Sequence, residues 1–429
     1  MSNTIIGLVD VNSMYASCET LFRPDWRGRP VVVASNNDGC IVARSSEAKA
    51  IGIKMGDPLF KIRDKIKQEG VIVCSSNYTL YGDLSNRIMM TIESMVPRHY
   101  WYSIDETFVD LTGTTSAIPL ETFCHQIKDR IKKDVGLPVC VGASTTKTLA
   151  KLANRAAKKY PATQGVVDLT DKNRQRRLMA LCEVGDVWGV GPRLAKRLRE
   201  MDIHTALDLA NASPKTIRTH FSVVLERTVR ELNGEACIEL DDAPATQQQI
   251  VCSRSFGQRV QQKAMMMEAL ANYTATATAR LRQQGLVAKA ITIFMRTSPF
   301  GGEPQYANSR MATLPIPTDD TRVLLGRVRA MLDRIWRDGY RYAKAGVMLT
   351  DFYDPKHLQA DLFAQPSHRT QAIMATLDQI NAEMPGKLAL GSQGVSRVTD
   401  NHNGWQMKQS MLSPRYTTRF SDLPVARIG

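Results

Sequence analysis

Asp10, Asp105 and Glu106 are the residues of this chain best suited to chemistry. Asp10 falls in Gly7-Leu-Val-Asp-Val-Asn-Ser-Met-Tyr-Ala-Ser-Cys18, and the other two in Tyr102-Ser-Ile-Asp-Glu-Thr-Phe-Val-Asp110. Both runs are apolar and strand-like, and burying an unpaired carboxylate in such a run is very costly. Three carboxylates converging at strand ends become tolerable when divalent cations neutralise them. Hard oxygen donors suit Mg²⁺, which also takes ligands from substrate phosphates. The chemistry expected of them is two-metal phosphoryl transfer. Asp110 lies on the same strand face as Glu106, within possible reach of the site, although a structural role suits it better.

The elements around these acids read as an α+β core. A strand ends at Asp10 and a helix follows through Tyr15, Ala16 and Leu21. Pro30 to Ala34 and Cys40 to Ala43 read as short strands separated by the turn Asn36-Asn-Asp-Gly39, and Glu47 begins a helix ended by Gly52. Apolar residues at Leu80, Leu84, Ile88, Ile92 and Met95 give helical periodicity over Thr79 to Met95. A helix from Leu120 to Lys132, a strand from Pro138 to Gly142 and a helix from Lys147 to Lys159 follow the second acidic run. Beyond Gly165 the chain turns helical. Val187-Trp-Gly-Val-Gly-Pro192, with Leu194, Leu198 and Ile203 behind it, reads as a helix-hairpin-helix. The turn glycines Gly189 and Gly191 expose backbone N–H groups, and the basic Arg193 and Lys196 follow directly, a pattern that holds a DNA phosphate.

Residues 240–249 are polar and read as a linker. Strands at Ile250 to Val260, Ala288 to Arg296, Met311 to Leu314 and Gly346 to Phe352, with helices at Glu268 to Gln283 and Thr321 to Asp338, make a small separate β/α domain. The remainder from Tyr353 reads as a mobile tail with a few helical turns.

Composition narrows the partners. The chain of 429 residues is too long for one small core, and it carries a formal charge of +14. Between Ala243 and Phe352 stand fifteen Lys and Arg against seven Asp and Glu, so more than half of the surplus lies in one segment. Such a surface attracts polyanions. No stretch approaches the ~18 apolar residues of a membrane span. The N-terminus shows no secretory pattern, and the eight cysteines lack paired spacing. A reducing cytoplasm fits both, and a zinc site does not.

Taken in order, Asp-Val-Asn-x-x-Tyr-Ala-Ser-Cys-Glu19, Ser35-Asn-Asn-Asp-Gly-Cys40, Glu47-Ala-Lys-Ala50, Ser103-Ile-Asp-Glu106, Thr146-Lys-Thr-Leu-Ala-Lys-Leu-Ala-Asn154 and Met411-Leu-Ser-Pro-Arg-Tyr-Thr-Thr418 resemble the Y-family (translesion) DNA polymerases, above all their UmuC-like branch. Plasmid and mobile-element members share these motifs. The resemblance implies a right-hand polymerase: palm at 1–20 and 78–166, fingers at 21–77, and a helical thumb at 167–239. The linker then leads to a C-terminal little finger at 250–353 and a tail at 354–429.

It also implies roles. Asp10, Asp105, Glu106 and the Val11 carbonyl would hold two Mg²⁺, and the three acids would be catalytic. Tyr15 would be the steric gate, a ring packed against C2′ that leaves no room for a 2′-hydroxyl. Arg44, Lys49 and Lys158 would bind the nucleotide, with Lys159 the competitor of Lys158. Many relatives carry tyrosine where this chain has Ser46 and arginine where it has Lys49, and lysine lacks the bidentate grip of arginine. The loop Asn36 to Gly39 would approach the nascent base pair. Gln359-Ala-Asp-Leu-Phe363 matches the pentapeptide that docks on the sliding β-clamp, with Gln359, Leu362 and Phe363 as its anchors.

The implied activity is error-prone, template-directed DNA synthesis across lesions in the SOS DNA-damage response. Primer-template DNA, dNTPs, the clamp, a processed UmuD-like dimer and a RecA filament are the implied partners. Met411 to Thr418 carries no assignable chemistry. A nucleotidyl cyclase and a catalytically silent DNA- and clamp-binding accessory protein are the competing readings.

Overall fold

The computed structural model describes residues 4–240, 247–300, 302–358, 368–384, 388–394, 405–423 and 425. Twelve strands occur among them: β1 Ile6–Val11, β2 Val31–Ala34, β3 Ile41–Arg44, β4 Ile72–Ser75, β5 His99–Trp101, β6 Glu106–Asp110, β7 Val139–Ser144, β8 Val166–Asp168, β9 Gln249–Val260, β10 Val287–Thr297, β11 Ala307–Thr318 and β12 Tyr342–Tyr353. The chain divides into two compact units. The first comprises 1–35, 39–243 and 411–429, and the second 36–38 and 244–410.

In the first unit a five-stranded sheet runs β5-β6-β1-β7-β8, antiparallel throughout except for the parallel pair β7/β8. Its central strand β1 is buried along its whole length. Alternation splits that strand between two cores. Val9 and Val11 join Leu84, Ile88, Ile127 and Ile131, which come from the helices Tyr78–Glu93 and Leu120–Asp134. Ile6 and Leu8 pack with Phe108 and Ala150 on the other face, where the helix Lys147–Lys159 lies against β1 and β7. That helix starts at the Thr146 cap, whose hydroxyl accepts the Leu149 N–H, and spans the residues its sequence pattern predicts.

Gly142 allows the close approach. A methyl group on its Cα would collide with the backbone of Ala150 and Asn154, while buried Asn154 donates from Nδ2 to the carbonyls of Leu8 and Cys140, at 3.2 and 2.8 Å. Gly142→Ala should therefore lower stability by about 3 kcal/mol, the scale of a severe overpacking, as read by urea unfolding. A small sheet β3-β2-β4 completes the strands of this unit, and helices from Lys172 to Leu232 form its third core.

The second unit is an antiparallel sheet β11-β10-β12-β9 covered by the helices Lys263–Gln283 and Thr321–Ile335. The tail expected to be mobile with a few helical turns does carry a helix, and that helix is tied to the second unit. A helix spans His368–Glu383, its Asp378 carboxylate receives both Nε and Nη2 of Arg282 at 2.5 and 2.7 Å, and Trp405 meets Tyr273 edge-on at 6.2 Å. Long-range partners order this stretch, which its own weak periodicity does not announce. Residues 359–367 lie outside the described residues, so the clamp peptide Gln359, Leu362 and Phe363 receives no structural description. Among the described residues no helix is long and apolar enough to cross a membrane. All eight cysteines are free.

Candidate active site

Strand register brings the first two acids together. Asp10 pairs directly with Glu106 across β1 and β6, on the face that carries Leu8 and Phe108. Like charges directly opposite one another destabilise a sheet, yet Asp10 is 5% exposed and its side chain shares a hydrogen bond with Glu106. Two ammonium groups from the helix above answer them. Lys158 pairs with Asp10, and Lys151 Nζ lies 2.9 Å from Glu106 Oε2. Burial pushes the Asp10 carboxyl up to about 7, against the pull of Lys158, and the bond to Glu106 pushes the same way. Burial also resists ionisation of Glu106. The hydrogen bonds from Asp10 and Lys151, with the nearby ammonium charges, still bring its carboxyl below the ordinary range.

Asp105 sits one residue before β6, its carbonyl accepting the Val11 N–H at 2.9 Å. Its carboxylate accepts the Ser103 hydroxyl at 2.5 Å, and Ser103 Oγ in turn accepts the Glu106 N–H at 3.1 Å. The structure thus joins Asp10 to Glu106 and leaves Asp105 turned onto Ser103. Among the described residues no three acidic, histidine or cysteine side chains form a ready metal cage. The donor set nonetheless fits a divalent cation: hard carboxylate oxygens, with buried Asp10 facing half-buried Glu106 across the paired strands. Asp110 does not belong to this site. It pairs with Ile6 at the far end of the strand, binds Arg98 at 2.9 Å and accepts the Thr112 N–H at 3.0 Å.

Tyr15 stands on the helix Met14–Leu21, stacked on Tyr81 with ring centroids 4.5 Å apart and met edge-on by Tyr78 at 5.8 Å. Burial, the Tyr78 hydroxyl and the charge of Asp105 raise its pKa. The turn delivering it is strained, because Ser13 has a φ of 49°. Lys49 Nζ donates to Ser13 Oγ at 2.8 Å; burial and the charge of Arg44 push its pKa down. Lys49 and Lys158 both line a cavity of about 690 Å³, with Arg27, Arg29 and Lys128 as further cations and Glu47 the one acid. Such a lining suits a polyphosphate.

Arg44 does not join them. Its Nη1 donates to the Ile53 carbonyl at 2.6 Å, and its Nε is buried without a partner among the described residues. Lys159 lies over the Tyr160 ring instead of the cavity. The side chains of Asn37 and Asp38 are also engaged, within the second unit. Asn37 Nδ2 donates to the Ser255 carbonyl at 2.7 Å, and Asp38 accepts the Ser410 N–H at 2.9 Å.

Around the Gly-Val-Gly turn, the helix expected before it is a single 3-10 turn at Val184–Asp186. Gly189 takes a φ of 85°, Gly191 caps the helix Pro192–Arg199, and Arg193 and Lys196 are exposed. Lys151 and Ser103 escaped the sequence reading. Lys151 was detectable, since it lies seven residues before Lys158 and so on the same helix face.

Three family descriptions match this chain: the impB/mucB/samB family over residues 9–155, the C-terminal domain of that family over 247–362, and a domain of unknown function, DUF4113, over 371–426. Protein UmuC of Salmonella typhimurium (strain LT2) is 51% identical over 98% of this chain and 99% of its own length. Protein ImpB of Salmonella typhimurium is 48% identical over 99% of this chain and 100% of its own. The fold is similar to that of a Dbh–Dpo4–Dbh Y-family DNA polymerase chimera, with a TM-score of 0.62 at 19% identity, covering 81% of this chain and 98% of the other. The chain belongs to the impB/mucB/samB family, on the fold of the Y-family DNA polymerases.

Proposed function

We propose that this Y-family member is an error-prone, template-directed DNA polymerase that extends primers past lesions in the SOS DNA-damage response, in the cytoplasm. Membership of the family makes it a DNA-directed DNA polymerase. The observation that carries the rest is buried Asp10 facing Glu106 with Lys151 and Lys158 set over them, beside a cavity lined by cations. Residues 1–20 and 78–166 serve as palm, 21–77 as fingers, 167–239 as thumb and 250–353 as little finger, joined through 240–249.

Asp10, Asp105, Glu106 and the Val11 carbonyl would hold two Mg²⁺. Bound there, such ions would supply acidification of the primer 3′-hydroxyl and neutralisation of the triphosphate and leaving pyrophosphate. Lys158 and Lys49 hold phosphate oxygens, and Lys158 exchanges Asp10 for the nucleotide. Tyr15 presents its ring to C2′ of the sugar. Gly189, Gly191, Arg193 and Lys196 hold a backbone phosphate of the duplex. Arg44, bonded to the Ile53 carbonyl, shapes the fingers and must release that bond to touch nucleotide.

Gln359, Leu362 and Phe363 dock on the sliding clamp, and a processed UmuD-like dimer and a RecA filament are the further partners. Changing Leu362 and Phe363 together to alanine should remove the gain in processivity that added clamp confers, measured by product length on a primed template. Single-nucleotide primer extension with purified protein tests the reading as a whole. Failure to incorporate any dNTP, with DNA binding intact and with the UmuD-like and RecA partners supplied, would leave a silent accessory protein.

A further inference from the structure

The segment Met411–Thr418, within the stretch matching a domain of unknown function, is built into the first unit. Met411 and Ser75 are joined twice: the Ser75 N–H donates to the Met411 carbonyl at 2.8 Å, and the Met411 N–H to the Ser75 side-chain Oγ at 3.0 Å. Asn77, which caps the helix Tyr78–Glu93 through Oδ1, donates from Nδ2 to the carbonyls of Ser413 and Pro414 at 3.0 and 3.3 Å. Tyr416 stacks on Phe22 at 4.6 Å. Thus anchored, Ser413 donates its hydroxyl to Glu19 Oε1 at 3.1 Å.

Glu19 is 1% exposed, and the same oxygen accepts the Tyr81 hydroxyl at 2.5 Å. Tyr81 is wholly buried, and its ring is the one stacked under Tyr15. An unbroken series of contacts therefore runs from Ser413 through Glu19 and Tyr81 to Tyr15. A ring fixed at its hydroxyl end has one resting position, and whatever stacks on it inherits that position. A buried carboxylate held by two hydroxyl donors is also costly to leave unpaired, so the series resists partial loosening.

We propose that the C-terminal segment acts as a positioning element for sugar selection: Ser413, through Glu19 and Tyr81, sets the seat of the Tyr15 ring. The inference rests on the reading of Tyr15 as the steric gate. Ser413, Glu19 and Tyr81 are positioning residues and touch no substrate in this account.

The test compares single-nucleotide insertion of a dNTP and of the matching rNTP by the full-length protein and by Tyr81→Phe, Ser413→Ala, Ser413→Thr and Tyr15→Ala, each as a ratio of kcat/KM. Tyr81→Phe keeps the stacked ring and removes the fixing hydroxyl. It should lower the preference for deoxyribonucleotides about three- to tenfold, the scale of one hydrogen bond. Ser413→Ala should move the ratio in the same direction, and Ser413→Thr, which keeps the hydroxyl, should restore it. A purely structural role would depress both substrates alike and leave the ratio still. If Tyr15→Ala relaxes sugar choice while Tyr81→Phe and Ser413→Ala keep the native ratio, the positioning inference is overturned and the gate stands. If Tyr15→Ala itself leaves the ratio unchanged, the gate reading falls and takes this inference with it. Should Tyr81→Phe fail to fold, the Ser413→Ala and Ser413→Thr pair decides.

Discussion

Glu106→Ala or Asp105→Ala is expected to lower nucleotide incorporation by about a thousandfold or more while primer-template binding persists. The size follows from removing a ligand that holds a metal on the reacting phosphate, worth several kcal/mol of transition-state stabilisation at ~1.4 kcal/mol per decade. The two variants reach that loss differently. Without Glu106, Asp10 keeps Lys158 but loses its bond to the facing carboxyl, and Lys151 loses its acceptor, so the cluster keeps two cations over one acid. Without Asp105, the Asp10–Glu106 pair and both lysines stay as they are, and only the carboxylate now held by Ser103 is missing. A metal titration followed by isothermal calorimetry in the presence of primer-template and dNTP should show weaker binding in both. Incorporation that survives either change would remove the metal assignment. Survival of Asp105→Ala alone would mean that the Ser103 contact is the resting role of that carboxylate.

Much of this arrangement is legible in the sequence because local patterns carry it. Strand alternation and helical periodicity place the acid-bearing β1 and β6 and the helix Lys147–Lys159 near their observed bounds, and an acid inside an apolar strand announces itself by its cost. Register is harder. That Asp10 faces Glu106 and not Asp105 depends on a pairing shift of one residue, which turns every side chain to the other face. The C-terminal contacts are beyond local reading altogether. Asn77 and Ser413 are 336 positions apart, and nothing in Met411 to Thr418 marks its partners. The helix His368–Glu383 hid for a related reason. Among its described side chains only Met374 is fully buried, and Arg282 holds its Asp378.

Lys158→Ala should raise KM for every dNTP by about tenfold or more, with a smaller change in kcat, whereas Lys159→Ala should leave KM close to its native value. The geometry separates two neighbours that sequence alone could not rank. Lys158 lines the cation-rich cavity and pairs with Asp10, while Lys159 turns to the Tyr160 ring. The Lys158 ammonium is partly exposed but its partner Asp10 is buried, so losing the pair also costs stability, which thermal melts record. The lost contact that matters is to phosphate, a charge-assisted bond to a ligand carrying several negative charges. Lys158→Arg keeps the charge but spreads it over a planar fork, so it should recover only part of the native KM. Steady-state insertion kinetics across dNTP concentrations, beside thermal melts of each variant, read these effects independently. A Lys158→Ala enzyme with native KM would show that this lysine neutralises Asp10 and does nothing for the nucleotide.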